Sequence, residues 1–265
     1  MKKYFLVLVL LWIGCKEDPK TKQFQADMVE MANEHKNERH YRRFTYFVEG
    51  EDPKISELFK SVDWKALAQS YKGVRSVQAY KKDNGFFFIY DTDSSLDEKQ
   101  LMDIITSNEG YADFDSQLIA LGVELKEYQR PLERIFKLNQ KKVHTSMEGQ
   151  LNKDVGPHKR FVWTLLLQED PEMITEYKKI HSMDQFWPQI RKNMEVMGIK
   201  DMEIYLYGTR AILIMDAKPD FDMAIEGPKW QKLPRETEWQ EYVAKFQRTE
   251  AGTDIQEKWQ DMHKL

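Results

Sequence analysis

The chain has a single cysteine, Cys15, among its 265 residues, so it cannot form an intramolecular disulfide. Its 40 lysine and arginine residues are balanced by 44 aspartate and glutamate residues, and the formal net charge is −4. This balance, without a strong basic block, gives nucleic-acid binding no electrostatic support. The apolar run at residues 4–13 is also too short to span a bilayer, which takes about 20 residues.

Three kinds of catalytic motif are missing as well. The sequence has no glycine-rich phosphate loop, no Cys/His spacing typical of a metal site, and no nucleophile elbow. His35 and His40 are five residues apart, and no acidic or cysteine partner is placed to complete a metal site with them. We therefore expect neither a metal nor a cofactor.

The first 15 residues are typical of a secretory signal. Two lysines precede the apolar run, and Gly14-Cys15 follows it, which resembles a bacterial lipobox, although Trp12 stands where leucine is usual. The sequence thus predicts a lipoprotein signal peptide at 1–15, lipid attachment at Cys15, and a polar tether at 16–40. We expect a cell-envelope protein, anchored in the outer membrane through this lipid only and facing the periplasm or the surface.

The rest of the chain has a globular composition, with 41% apolar and 32% charged residues. It contains two stretches that look like copies of each other. RFTYF at 43–47 leads to EDP at 51–53, and RFVWT at 160–164 leads to EDP at 169–171. Each copy continues with a helical pattern, a pair of strands, another helix and a last strand. In the first copy, DNG at 83–85 is a strong hairpin signal.

The order strand–helix–strand–strand–helix–strand, found twice, is that of a ferredoxin-like plait. We assign the copies to residues 41–140 and 158–265, with a linker at 141–157. An antiparallel sheet with helices on one face leaves the other face to be covered, and a second copy can cover it. The predicted fold class is therefore α+β, with tandem ferredoxin-like plaits packed as an internal dimeric α+β barrel in a monomer. Two plaits that never meet would leave two apolar sheet faces exposed.

Residues 176–188, EYKKIHSMDQFWP, contain the candidate site. Tyr177 and His181 are four apart, which places them on one face of a helix. We predict a helix over 171–182, a bend, and a second helix from Pro188 to Gly198. The macrodipole at the end of the first helix favours a protonated His181 in a cleft. The alternative is that these aromatic residues are ordinary core.

The segment from Arg160 to the C-terminus resembles the L-rhamnose mutarotase family, which includes relatives thought to act on L-fucose. The matching pieces are RFVWTLLLQEDPEMITEYKKIH, FWPQI, MGIKDMEIYLYGTRAILIMDA, PRETEWQEYVAKFQ and EKWQDMHKL. The resemblance implies a cofactor-independent enzyme that interconverts the anomers of a 6-deoxyhexose. It assigns His181 as the proton donor and Tyr177 as a sugar-binding neighbour.

The resemblance also implies sugar contacts at Met202, where the rhamnose enzymes have tyrosine, and at a tryptophan pair that reads Lys258-Trp259 here. Trp187 and Tyr205 are further candidates for the pocket, or else core residues. Because side chains alternate along a strand, Met202 and Tyr205 point to opposite faces, and only one of them can face the sugar.

The two copies are not equivalent at this site. Aligning Pro53 with Pro171 puts Phe59 opposite Tyr177 and Asp63 opposite His181. We therefore expect one working site, in the second half. The rival reading is a non-catalytic lipoprotein that binds a sugar or a protein on the same fold.

Overall fold

The structure, a computed structural model, describes residues 40–123, 130–140, 144–182, 184–248 and 259–265. The predicted signal peptide, Cys15, nearly all of the predicted tether and Lys258 lie outside these residues. Within the described ranges, no helix is long and apolar enough to cross a membrane.

The described residues form ten strands and eight α-helices. The strands are β1 (His40–Glu49), β2 (Val74–Lys82), β3 (Gly85–Asp93), β4 (Glu133–Lys137), β5 (Gln150–Lys153), β6 (Lys159–Leu166), β7 (Ile199–Tyr207), β8 (Arg210–Ala217), β9 (Gln260–Asp261) and β10 (His263–Lys264). The helices are α1 (Pro53–Ser61), α2 (Trp64–Ser70), α3 (Glu98–Thr106), α4 (Glu109–Ala120), α5 (Pro171–His181), α6 (Pro188–Met197), α7 (Met223–Trp230) and α8 (Glu236–Ala244).

The strands form two five-stranded antiparallel sheets. The first sheet has the order β10-β2-β3-β1-β5 and the second the order β4-β7-β8-β6-β9. This mixture of antiparallel sheets and helices confirms the predicted α+β class.

Each sheet contains a strand from the other half of the sequence. β4, which closes the first half, pairs with β7 in the second sheet. β10, at the C-terminus, pairs with β2 in the first sheet. The stretch that we assigned to the linker, 141–157, contains β5, which pairs with β1. The two halves are thus held together by backbone ladders as well as by side chains.

One apolar cluster lies between the two sheets. The ring of Phe47 in the first sheet is 4.8 Å from that of Tyr207 in the second, and Phe87 is 6.4 Å from Tyr205. Burying these apolar faces against each other is the main favourable term that joins the sheets. The buried members are Phe47, Tyr80, Phe87, Ile89, Leu132, Val162, Tyr205, Ile212, Ile214 and Met262.

Each half also contains a buried Arg–Asp ion pair at the corresponding position of its sheet. Arg43 on β1 faces Asp91 on β3 and binds it through two hydrogen bonds of 2.7 and 3.0 Å. Arg160 on β6 faces Asp216 on β8 in the same way, with two bonds of 2.7 Å. Bidentate pairs of this kind fix geometry as well as charge. Their repetition supports the sequence alignment of the two halves.

A second set of charges connects the sheets. The carboxylate of Glu203 on β7 accepts a hydrogen bond of 2.5 Å from Arg43 and one of 2.6 Å from Arg134. The ammonium group of Lys137 lies 3.7 Å from the same carboxylate. Arg43 belongs to the first sheet and Glu203 to the second, so this buried contact crosses the interface.

The helices that frame the candidate site begin and end where the sequence indicates. The Asp170 side chain caps α5 by accepting from the Glu172 amide at 2.8 Å, and Pro171 occupies the first turn. Gly198 ends α6 in the left-handed conformation, with φ of 83°. The predicted ranges 171–182 and 188–198 are confirmed to within one residue.

Candidate functional site

His181 is at the end of α5, with 5% of its surface exposed. Its Nδ1 is 2.8 Å from the backbone carbonyl oxygen of Tyr177, one turn earlier. Because a carbonyl oxygen only accepts hydrogen bonds, this contact assigns the proton of a neutral imidazole to Nδ1. Nε2 then carries a lone pair that can accept a proton.

The charge state of His181 differs from the one that the sequence predicts. Burial lowers its pKa to about 4, and the hydrogen bond to the Tyr177 carbonyl raises it only in part. The expectation of a protonated imidazole favoured by the helix dipole was wrong, because the desolvation of the charged form outweighs the dipole. The imidazole is neutral at pH 7.

Four aromatic rings surround the imidazole and account for its burial. The ring of Tyr177 lies 4.2 Å away, Trp239 5.7 Å, Phe136 6.2 Å and Phe186 6.3 Å, measured between centroids. Phe136 is on β4, so the first half of the sequence supplies one wall. His181 is therefore enclosed by both halves and does not line an open cleft.

Trp187 is connected to His181 through Trp239. Its ring meets the edge of Trp239 at 5.3 Å and stacks on Tyr242 at 5.7 Å. The guanidinium carbon of Arg235 lies 4.1 Å from the Trp187 ring centroid, a cation–π contact. The Trp187-Pro188 corner thus belongs to the same aromatic group as the imidazole.

A buried carboxylate fixes the helices around this group. One oxygen of Glu236 accepts hydrogen bonds of 2.9 Å from the Asn193 amide and from the Trp230 indole. The pKa of Glu236 is raised above its usual value, because the effect of burial is larger than that of the two hydrogen bonds, which lower it. These contacts tie α6, the end of α7 and the start of α8 together. The sequence analysis did not identify Glu236, because no pattern in PRETEW at 234–239 indicates that this glutamate is buried and Glu238 is not.

The structure separates the remaining candidates onto two faces of the second sheet. Met202 lies in the same apolar core as Tyr177, between the helices and the sheet, and Trp259 packs against that core. Tyr205 is fully buried on the opposite face, where its hydroxyl donates to Glu203 at 3.2 Å. Of the two alternatives for Tyr205, the structure shows the core position, on the face opposite to Met202, because side chains alternate along a strand.

The matching position in the first half lacks these functional groups. Phe59, opposite Tyr177, stacks on Phe86 at 4.3 Å. Asp63, opposite His181, caps α2 by accepting from the amides of Lys65 and Ala66 at 3.1 and 2.9 Å. Here a carboxylate holds a helix end where the second half has an imidazole.

Among the described residues, no group of three or more His, Cys, Asp or Glu side chains is placed to hold a metal ion. The imidazole of His181 and the phenol of Tyr177 are the titratable groups whose rings lie against each other here, 4.2 Å apart.

The fold and the site define an α+β protein with a buried Tyr–His pair between helices and sheet. A family model described as L-rhamnose mutarotase matches residues 160–265. A UPF0734 protein of Dictyostelium discoideum is 36% identical over 95 residues, which cover 36% of this chain and 74% of that protein. The chain belongs to the L-rhamnose mutarotase family through its second half.

Two further proteins are similar. An L-fucose mutarotase of Xanthomonas campestris pv. campestris is 26% identical over 106 residues, which cover 40% of this chain and 85% of that protein. The crystal structure of an anthrone oxidase-like protein superposes with a TM-score of 0.42 at 15% identity, covering 86% of this chain and 94% of the other.

Proposed function

We propose that the chain is a cofactor-independent sugar mutarotase that interconverts the anomers of a 6-deoxyhexose, L-rhamnose or L-fucose. Its family and the related L-fucose mutarotase support sugar chemistry. The observation that carries the proposal is the neutral imidazole of His181, whose Nδ1 proton is engaged by the Tyr177 carbonyl.

Mutarotation needs one proton taken from the anomeric hydroxyl and one delivered to the ring oxygen. In our mechanism, Nε2 of His181 accepts the hydroxyl proton. The resulting imidazolium returns it to the ring oxygen as the bond between that oxygen and C1 breaks. The open aldehyde turns about C1–C2 and closes by the reverse steps. His181 therefore acts first as a base, and donates the proton only afterwards.

Tyr177 has a different role. Burial raises the pKa of its phenol above the ordinary value, so the phenol stays protonated and is not a base at neutral pH. It can hydrogen-bond the sugar. Met202, Trp187 and Trp259 supply apolar and aromatic surface around it, and we retain Lys258 as a proposed sugar contact.

The test is NMR saturation exchange between the anomers of L-rhamnose, L-fucose and D-galactose, with and without protein. His181→Asn should remove most of the catalysed exchange, since a positioned acid or base contributes roughly 10²–10⁴-fold. The matched control is His263→Asn, which changes an exposed histidine on β10 and should retain the wild-type rate. Full activity of His181→Asn would refute the assignment.

One observation favours a second candidate, a non-catalytic sugar-binding module. Only 5% of His181 is exposed, which restricts its contact with a sugar. This candidate predicts saturable sugar binding without any protein-dependent exchange between anomers. The same NMR experiment therefore distinguishes the two functions.

We further infer that the two halves are tandem ferredoxin-like plaits packed as an internal dimeric α+β barrel. The strand order β2-β3-β1-β5 in one sheet and β7-β8-β6-β9 in the other supports two equivalent plaits. The shared apolar cluster between the sheets supports their packing. The chain without residues 1–20 should then be a monomer in light scattering, and a stable dimer would contradict this.

We also propose that the protein is lipid-anchored in the cell envelope at Cys15, which rests on the lipobox-like Gly14-Cys15. Metabolic labelling with a radioactive fatty acid should mark the wild type and not Cys15→Ser. An unlabelled wild type would contradict the proposal.

A further inference from the structure

A pocket of about 530 Å³ opens to solvent at one edge of the interface between the two sheets. Three of its lining residues, Tyr80, Val162 and Met262, belong to the apolar cluster that joins the sheets. Asp261 is the one carboxylate among the described residues that line it, and the Trp163 indole donates to that carboxylate. The lining residues that are cationic, or become so on protonation, are Arg160, Lys264, His158 and His263.

Gln78, which also lines the pocket, occupies the position that corresponds to Glu203 in the second half. On β2, Gln78 pairs with Ile89, two residues before the aspartate of the first buried ion pair. On β7, Glu203 pairs with Ile214, two residues before the aspartate of the second. Two residues further along each strand, a tyrosine hydroxyl donates to this side chain, at 2.7 Å for Gln78 and 3.2 Å for Glu203. The two halves therefore have an amide and a carboxylate at equivalent positions.

The arginines of the two buried ion pairs show the consequence of this difference. Arg43 donates to the Glu203 carboxylate at 2.5 Å. Its counterpart, Arg160, lies 3.5 Å from the amide oxygen of Gln78. The same nitrogen of Arg160 is 3.8 Å from Asp91, a carboxylate that Arg43 already binds. Arg160 thus lacks the second close carboxylate that Arg43 has.

A second cation is also repeated at the two positions. Arg134 on β4 pairs with Tyr205 and donates to Glu203 at 2.6 Å. Lys264 on β10 pairs with Tyr80, the tyrosine that corresponds to Tyr205. Lys264 is exposed and has no ion pair within the described part of the chain. Each position therefore has two cations from neighbouring strands, but only the second half supplies their carboxylate.

Both of the cations without this carboxylate face the pocket. The side chain of Arg160 is 10% exposed, although it binds Asp216. Lys264 lies two residues after Met262, whose side chain is in the cluster between the sheets, so strand alternation puts both on the same face. A guanidinium group has five N–H donors, and the bidentate pair with Asp216 leaves some of them for another acceptor.

We propose that this pocket binds a small organic acid, whose carboxylate lies between Arg160 and Lys264 as the Glu203 carboxylate lies between its two arginines. Hydrogen bonds from cations to a carboxylate are about twice as strong as bonds between neutral groups, so the anion binds in preference to its amide. The site is between the sheets, whereas His181 lies on the helix side of the second sheet. It therefore does not rest on mutarotase activity.

The experiment compares two probes of the same shape. Propionate corresponds to the side chain of glutamate, and propionamide to that of glutamine. Ligand-observed NMR titration against the full chain, in a buffer free of carboxylates and phosphate, should show saturable binding of propionate. Its affinity should exceed that of propionamide by about fivefold to tenfold, the difference between a charged and a neutral hydrogen-bonded group.

Gln78→Glu tests the location directly, because it supplies the missing carboxylate from the chain itself. The new side chain should occupy the position of the probe and abolish propionate binding. The melting temperature should not fall, since Arg160 and Lys264 gain the counter-ion that Arg43 and Arg134 have.

Lys264→Ala tests the second cation. It should weaken propionate binding by about twofold to fivefold, the effect of one exposed ion pair, and leave propionamide binding unchanged. The matched control is Lys81→Ala, which removes the same charge from β2 on the opposite face, where the ammonium group lies 5.7 Å from the ring centroid of Phe86. This control should bind both probes as the wild type does.

Four results would overturn the proposal. The first is no saturable binding of propionate, and the second is equal affinity for propionate and propionamide. The third is a folded Gln78→Glu variant with wild-type affinity for propionate, which would place the bound probe elsewhere. The fourth is tighter binding of inorganic phosphate than of propionate, which would assign the pocket to phosphoryl groups. If Gln78→Glu does not fold, Lys264→Ala with its Lys81→Ala control still decides.

Discussion

Glu203 should be essential for the stability of the interface between the sheets. Its side chain is 1% exposed and contacts Arg43, Arg134 and Lys137 at 2.5, 2.6 and 3.7 Å. Glu203→Gln keeps the shape of the side chain and removes its charge. Three buried or nearly buried cations then lose their shared counter-ion, whereas Arg43 keeps its pair with Asp91 and Lys137 keeps its pair with Asp201.

The size of the effect follows from the burial. Breaking a buried ion pair by removing one partner costs roughly 3–5 kcal/mol, because the remaining charge stays desolvated. For a chain of this size, each kcal/mol lowers the melting temperature by about 2–4 °C. Glu203→Gln should therefore melt roughly 6–20 °C below the wild type.

The assay is urea unfolding followed by circular dichroism. The control is Asp93→Asn, which breaks the exposed pair with Arg75, 3.0 Å apart, and should cost less than about 1 kcal/mol. A cost below about 1 kcal/mol for Glu203→Gln would show that the charges across the sheets do not stabilise the interface.

The pH dependence gives a second check on Glu203. Burial alone would raise its pKa, but Lys137, Arg43 and Arg134 together hold it well below the usual value. The unfolded chain then binds the proton at a higher pH than the folded one, so the stabilisation is complete above the unfolded pKa of about 4.3. The difference in unfolding free energy between wild type and Glu203→Gln should become smaller as the pH falls below that value.

Three further predictions test individual residues. Asp63→Ala removes the cap of α2 and should cost about 1 kcal/mol in urea unfolding while leaving anomer exchange unchanged. Gly198→Ala should cost about 1 kcal/mol or more, because φ is 83° and a new Cβ would lie 3.0 Å from the Lys218 side chain. Wild-type protein should lose up to roughly 3 kcal/mol relative to His181→Asn as the pH falls from 6.5 to 4, since the unfolded chain then binds the extra proton. If the unfolding free energies of wild type and His181→Asn changed equally with pH, this would contradict a buried neutral imidazole.

The sequence predicts local structure well where the cause is local. The Asp170 cap, Pro171 and Gly198 bound two helices through interactions within a few residues of each other. The hairpin turn at Asp83 and Asn84 is local too, and Asp83 adopts the positive φ of 52° that such turns require. These features can be read from neighbouring residues alone.

The features that the sequence could not predict depend on distant contacts. A strand pattern at 133–137 does not say which sheet the strand joins, because pairing depends on residues far away in the sequence. The charge of His181 also depends on distant contacts. Its spacing from Tyr177 shows which face of the helix it occupies, but contacts with Phe136, Phe186 and Trp239 determine its burial and hence its pKa.

The strand exchange also gives the first half a structural role around His181, although the matching positions there are Phe59 and Asp63. β4 contributes Phe136 to the enclosure of His181, so the first half is part of the site in the second. In a homodimer, a substitution at the Tyr177 position would change both sites at once. In a single chain, Phe59 replaces that tyrosine in one copy only. The first half can therefore differ at this position while its last strand still contributes Phe136 to the enclosure of His181.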